Sequence, residues 1–352
     1  MDFGQNDSGM EPSQRQPLEP IGGINVDRPH IERASKATGW KMLLGIILAL
    51  SVIANFVLVL ALIGVVAIFA ATPRGLYAEE VIREGPRSNK IAVVTLEGII
   101  DGAQAKNLLS QLKMAERDRR VKAVIVQVDS PGGTLTGSDQ IYHAIRKFRD
   151  STGKPVIAFM QGIAASGGYY TSVACEKIMA EPTAITGSIG VIFGHFVLEE
   201  LLQEKLGIQP VFLTSGPKKG WPSMFSAFTE QQREYVEEKL ISPAYKRFVK
   251  IVADGRPLLT QVEVEELADG SIYGAEEAVQ EKLIDKVGYF DDAVEWVKSL
   301  ADIEKAQVVQ YRRPFSFARF LTYQSRSSFK FDRNTLYELS TPQVLYLWTI
   351  NQ

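Results

Sequence analysis

The chain has 352 residues and a mass of 39.0 kDa, enough for one large domain or two small ones at the usual ~100–200 residues per domain. A net charge of −2 and a pI near 6.1 supply no extended basic field to neutralise phosphates, which argues against nucleic acid as a partner. Cys175 is the only cysteine, so no intramolecular disulfide can form. Its apolar run "SVAC" predicts a small buried side chain rather than a reactive thiol.

In chain order, residues 1–40 are rich in Gly, Pro, Gln, Asp and Glu without a sustained apolar period, and read as a disordered cytoplasmic tail. Then comes "MLLGIILALSVIANFVLVLALIGVVAIFAA", with no charged residue. About 20 apolar residues suffice to cross a bilayer, and this run is far longer than the ~7–15-residue core of a cleaved signal. Residues 41–72 are therefore read as a retained transmembrane anchor. Arg33, Lys36 and Lys41 on one side against Arg74 alone close by on the other predict a single-pass cell-membrane protein. Its N-terminus would be cytoplasmic and its catalytic domain extracytoplasmic. Residues 73–88 read as a juxtamembrane linker.

From Ile91 the pattern changes to "IAVVTL", a helix over 103–116, "VKAVIVQV", a helix over 137–149 and "KPVIAFM". Unbroken Val/Ile runs alternating with helices of ~10–15 residues indicate mainly parallel strands buried on both faces, an α/β core. Further elements are a short helix after Ser166, brief strands "KIMA" and "SIGVI", a helix over 196–206 and a strand "PVFLT". A long helix over 229–254 and another in "QVEVEELADG", closed by a glycine cap, follow. No internal repeat is found. The aromatic and basic segment 306–352 reads as a C-terminal tail, either solvated or an interaction segment.

Three stretches fall at strand ends or edges, where α/β sheets place ligands. In "DSPGGT", Pro131 fixes its own φ, and the paired glycines let the backbone approach another group with N–H groups free. That suits an oxyanion hole, and equally an ordinary Pro-Gly turn. In "AASGGYY", Ser166 lies at a helix start, where outward N–H groups favour negative charge. It reads as a nucleophile or as a small N-cap. A nucleophilic serine needs a base. Of the three histidines, His30 lies in the tail, while His143 and His195 have no acidic partner at a recognisable spacing. Lys218 and Lys219 of "LTSGPKKGW" are the other candidates: desolvation in a dry cleft lowers a lysine pKa and makes it a base, whereas in an open loop it is simply exposed.

Taken in order after an anchor, "DSPGG", "AASGGYY", "TGSIGVI", "SGPKKG" and "LADGSIYGAEEAVQEKLIDKVGYFDDAV" resemble the signal peptide peptidase A family of membrane-anchored Ser-Lys proteases, in its short single-repeat form. The resemblance covers about residues 88–300. It implies a Clp protease/crotonase-like α/β fold, a spiral of ββα units, over 89–305, with no metal or organic cofactor. It makes Ser166 the nucleophile. The family loop S-G-x-x-K, aligned on Gly216, makes Lys219 the base. Ser188 of "TGSIG" matches the hydroxyl that holds the lysine amine, Gly133 matches the oxyanion donor, and Gly167 is its second donor. The chain departs from the family at Gly220 and "WPS", where an acidic residue and a G-S-P run usually follow the lysine, and at Ser271, where arginine is usual.

The resemblance also implies homo-oligomeric rings in which serine and lysine of one site come from neighbouring protomers. The implied substrates are cleaved signal peptides left in the membrane. Rival readings are an NfeD-like membrane Ser-Lys protease, whose extra hydrophobic spans are not found in this sequence, and a catalytically silent membrane scaffold of the same fold. A crotonase-like acyl-CoA enzyme comes third, with the anchor against it.

Overall fold

The computed structural model describes residues 37–71, 77–312 and 343–349, in two units, Met1–Pro73 and Arg74–Gln352. The described part of the first is one helix, α1 (Ala37–Ala71). Its most apolar part, Gly39–Val65, is 27 residues with a mean hydropathy of 3.0. At 1.5 Å per residue such a span reaches about 40 Å, longer than the ~30 Å hydrocarbon core of a bilayer. The helix starts at Ala37, so the last four residues of the expected tail belong to it, and residues 1–36 lie outside the described residues.

The second unit is built on a mixed sheet. Starting from the edge, its strands run β1 (Ala78–Arg83), β11 (Gln307–Arg312), β2 (Lys90–Glu97), β3 (Val121–Ser130), β5 (Val156–Ala165), β6 (Lys177–Ala180) and β10 (Lys286–Val287). All neighbours along this path are parallel except β1, which pairs antiparallel with β11. Parallel pairing requires crossovers, supplied by α2 (Gly102–Arg117) between β2 and β3 and α3 (Leu135–Thr152) between β3 and β5. The unbroken Val/Ile runs follow from burial on both faces. Val94, Val126 and Ala158 pack with Leu108 and Leu112 of α2 and Ile141 and Ile145 of α3. Their sequence neighbours Val93, Ile125 and Ile157 face the other way, onto Val294 and Val297 of α9 (Phe290–Leu300).

β5 serves two partners. Its first part, from Ile157 to Met160, pairs with β6, and its end, from Ile163 to Ala165, pairs with β7 (Ile185–Gly187). β7 in turn pairs antiparallel with β9 (Ile272–Gly274). α4 (Gly167–Ser172) starts directly after β5. A small second sheet holds β4 (Gly132–Thr134), β12 (Gln343–Leu347) and β8 (Ile192–Gly194) in that order, all antiparallel.

Several expectations need correction. Residues 78–83, within the expected linker, form β1, and both β11 and β12 lie in the segment read as a C-terminal tail. These strands escaped the sequence reading because "AEEVIR" is largely exposed, and β12 is recognisable only beside its distant partners. Of "SIGVI", residues 188–191 connect β7 to β8 and only Ile192 is in a strand, as the first residue of β8. The helix expected over 196–206 shrinks to one π-helical turn, Leu201–Lys205, and "PVFLT" forms no strand. A strand needs a ladder partner, and Val211, Phe212 and Leu213 are left exposed, Leu213 at 98%. The long helix is present as α5 (Glu230–Val236), a π-helical stretch Glu237–Ile241 and α6 (Ser242–Gly255), begun by a Thr229/Gln232 capping box. In "QVEVEELADG", α7 (Gln261–Leu267) ends at Ala268, and Gly270 adopts φ +92 two residues later. α8 (Ala275–Gln280) completes the helices among the described residues.

Candidate active site

Ser166 occupies the turn between β5 and α4. The β5–β7 pairing sets Ala165 beside Gly187, and the Ser166 amide donates to the Gly187 carbonyl at 2.8 Å. Its φ of 53° and ψ of −114° lie where non-glycine residues are rare and strained, a state that persists only when the surroundings impose it. As an N-cap its hydroxyl makes no capping hydrogen bond, so helix capping does not account for this serine. Ser188 follows β7 with φ 50°, and its amide donates to the Ser271 carbonyl at 2.7 Å. Both serines line one cleft of about 610 Å³, with Ile192, Tyr245, Leu347 and Trp348 among its walls.

The small residues of "SPGG" are required because three backbones meet there. On one side lies Ile100: its amide donates to the Gly132 carbonyl at 2.8 Å, and its carbonyl accepts from Thr134 at 2.7 Å. A Cβ on Gly133 would stand 2.2 Å from that Ile100 oxygen. On the other side lies β12. Gly132 has φ +101, and a Cβ there would come within 2.0 Å of the Tyr346 carbonyl oxygen and 2.7 Å of the Gly167 nitrogen. Ser130 fixes the turn by donating its hydroxyl to the Gly98 carbonyl at 2.6 Å while accepting from the Gly132 amide at 3.1 Å.

β12 lies in the groove between β4 and β8 as an added strand. Tyr346 stands opposite Gly133 and Leu345 opposite Ile192. The Trp348 amide donates to the Pro131 carbonyl at 2.8 Å. Hydrogen-bonded pairs alternate along an antiparallel ladder, so Gly133 and Tyr346, two residues on, share that phase and the Gly133 amide faces the Tyr346 carbonyl. A Cβ built on Gly167 would lie 3.0 Å from the same oxygen. The Gly133 amide thus faces one peptide carbonyl and the Gly167 backbone lies close to the same oxygen, beside the cleft that Ser166 and Ser188 line.

The lysines do not join them within this chain. Lys218 and Lys219 are exposed, and neither lines the cleft. Lys218 extends its ammonium over the Tyr235 ring at 4.7 Å and the Trp221 ring at 5.8 Å. Among the described residues the Lys219 ammonium has no hydrogen bond or ion pair, although its backbone amide donates to Gly216 at 3.0 Å. The segment leading to them exposes Phe196, Leu201, Leu206, Ile208, Val211, Phe212 and Leu213. His195 Nε2 donates to the Ser223 carbonyl at 3.1 Å, and the ring lies beside those of Phe193 and Phe228. His143 is exposed on α3, and His30 lies outside the described residues. Cys175 is buried as expected, and burial pushes its thiol up to about 12.

Sequence reasoning missed the third strand of the groove. The short unbroken apolar run "VLYL" was its only local signal.

Family models match the chain twice. Residues 148–304 match peptidase family S49, and residues 82–186 match Clp protease. The first match holds Ser166, Ser188 and Lys219, and the second holds Gly133 and Ser166. Among curated relatives, a protein named "Putative signal peptide peptidase SppA" from Enterococcus faecium is 36% identical over 245 residues, 66% of this chain and 70% of that one. "Putative protease slr0021" of Synechocystis is 36% identical over 66% of this chain and 83% of its own length. "Protease 4" of Salmonella typhi is 34% identical over 63% of this chain but only 36% of its own. A solved ClpP1 mutant from Listeria monocytogenes aligns at TM-score 0.39 and 17% identity, over 57% of this chain and 94% of that one. The Clp protease-like fold is carried by the family models rather than by that alignment.

Proposed function

This chain belongs to peptidase family S49, as a serine peptidase with a Clp protease-like fold, and from that membership we propose that it is a membrane-anchored Ser-Lys endopeptidase that degrades signal peptides after their release from exported proteins. Ser166 is the nucleophile, Lys219 the base, and Gly133 and Gly167 the oxyanion donors. Ser188 positions the lysine amine, and α1 holds the enzyme at the membrane, with the catalytic unit extracytoplasmic.

One observation carries the reading: β12 lies between β4 and β8 as an extended peptide would, with the Tyr346 carbonyl opposite Gly133 and close to the Gly167 backbone. Adding a strand to an exposed edge is a general way to bind peptide, since main-chain hydrogen bonds hold any sequence in register. A substrate lying there presents its scissile carbonyl to two amides that strengthen their hold as negative charge develops on oxygen. Losing one such donor typically costs about 10²–10³ in turnover.

The proton steps follow from the base. A neutral Lys219 amine takes the Ser166 proton as the hydroxyl oxygen attacks the carbonyl carbon. The resulting ammonium returns the proton to the departing amine as the C–N bond breaks. Water, deprotonated by the same amine, then splits the ester. A neighbouring protomer would supply the water-excluded surroundings that this chain alone does not give the lysine.

The test is hydrolysis of a short apolar fluorogenic peptide by the full chain. Ser166→Ala and Lys219→Ala are expected to abolish turnover, while Lys218→Ala retains it, because the Lys218 ammonium is already engaged by aromatic rings. Full activity in Ser166→Ala would overturn the assignment.

A further inference from the structure

We infer that Asp269 sets specificity on the leaving side of the cleft, where it selects a lysine or arginine among the first three residues after the scissile bond. This deepens the peptidase reading above and rests on it.

The walls of the cleft show which part of a substrate it receives. Ser166 and Ser188 line it, and of β12 and the residues after it only Leu347, Trp348 and Thr349 do. These three follow the Tyr346 carbonyl, which lies opposite Gly133 and close to the Gly167 backbone. A peptide whose scissile carbonyl takes that place sends its next three residues along the cleft. The other walls are mostly glycine and apolar side chains, Val191, Ile192 and Phe193 among them. Among the described residues that wall the cleft, Asp269 alone carries a full charge.

That carboxylate is held in place without being neutralised. Asp269 stands just beyond α7, and its Oδ1 accepts from the Ser271 amide at 2.8 Å, closing a turn over Gly270 at φ +92. Hydrogen bonds from the Ser271 side chain and amide keep its pKa below the usual carboxylate value, so it is ionised at neutral pH. Asp269 is exposed and forms no ion pair among the described residues. Ser271 also ties it to the catalytic side, because the Ser271 carbonyl accepts from the Ser188 amide at 2.7 Å.

A single carboxylate among apolar walls suits a long cationic side chain. The aliphatic stem of lysine or arginine covers apolar surface while the charged head reaches the acid. Glutamine keeps part of the stem contact and loses the charge pairing, and glutamate sets like charges against each other. Because Asp269 is open to solvent the attraction is screened, and an exposed pair of this kind corresponds to about threefold in an equilibrium constant.

Two readouts on the full chain test the inference, and only one needs catalysis. In the first, matched quenched peptides share one cleavable bond and carry Lys, Gln or Glu at the first, second or third position after it, with the cut located by mass spectrometry. Expected kcat/KM is about threefold higher for Lys than for Gln at one position at least, and lower again for Glu. Asp269→Asn brings Lys and Gln level, Asp269→Lys puts Glu ahead, and Asp269→Glu keeps the original order. In the second, fluorescence anisotropy follows binding of the same peptides, dye-labelled and unquenched, to the Ser166→Ala chain. The Lys peptide should bind about threefold tighter than the Gln peptide, and adding Asp269→Asn should remove the difference.

Equal cleavage of Lys and Gln peptides at all three positions overturns the inference. So does a loss in Asp269→Asn that is the same for Lys, Gln and Glu, since the carboxylate would then act on the reacting groups and not on the substrate. Binding in the expected order with no Ser166-dependent hydrolysis of any peptide leaves the charge selection standing and overturns the peptidase reading instead.

Discussion

Gly167 is the residue at which the smallest change has the largest expected consequence. A methyl there would stand 2.5 Å from the Ser138 hydroxyl oxygen and 3.0 Å from the carbonyl oxygen of Tyr346. The buried Ser138 hydroxyl can yield only by giving up its hydrogen bond to the Thr134 carbonyl, whereas a bound scissile carbonyl cannot leave without losing its amides. Gly167→Ala is therefore expected to keep the fold, with a melting temperature within a few degrees of wild type, and to lower kcat by about 10² or more, the loss typical of a disabled oxyanion donor. Unchanged kcat in a folded Gly167→Ala chain would remove this residue from the oxyanion role. The crowding of small residues around Ser166 and in "SPGG" was legible because its cause is local: backbones approach where side chains are absent. The strain at Ser166 and Ser188 was not legible, since a positive φ at serine has no signature in composition. Tyr346 was equally hidden, because it pairs with Gly133 and packs on Tyr170 and Phe248, all remote in sequence.

At the scale of elements, β12 is a strand tethered to the groove it fills. A tethered segment competes at an effective concentration that reaches about millimolar for short flexible linkers, so short peptides must displace it before they can be cleaved. Leu345→Pro removes one ladder donor on the β8 side and bends the strand without touching the residues assigned to chemistry. The expected result is a several-fold lower KM for short peptides with kcat unchanged, the signature of a relieved competitor. A KM identical to wild type would show that β12 does not impede entry. The same scale explains which apolar runs became strands. "IAVVTL", "VKAVIVQV" and "KPVIAFM" each have two strand neighbours and helices on both faces. "PVFLT" is as apolar, yet no described strand of the same chain offers it a ladder. Hydrophobic runs announce burial, and only the partner decides that the burial is a sheet.

For the whole molecule the distribution of the site matters most. Ser166 and Ser188 line one cleft with Gly133 and Gly167 beside it, whereas Lys219 is exposed at the end of a segment that leaves Phe212 and Leu213 largely exposed. Contiguous exposed apolar side chains of this kind mark interaction surfaces, and under the function proposed above a second copy of the chain would be the partner. The covering copy would bury the apolar segment, and Lys219 would enter a neighbour's cleft. Sequence alone could raise this arrangement only through family resemblance, because nothing local distinguishes a lysine that acts on its own chain from one that acts on the next. Mixing separates the two cases. Ser166→Ala and Lys219→Ala chains, each inactive alone, are to be unfolded together, refolded and assayed as verified mixed oligomers. If every site draws its serine from one protomer and its lysine from a neighbour, an equal random mixture places intact residues together in about a quarter of the sites of a closed ring. Activity near that fraction of wild type is expected. Activity at the level of either variant alone would mean that serine and lysine must come from the same chain, and the loop bearing Lys219 would then have to fold into its own cleft.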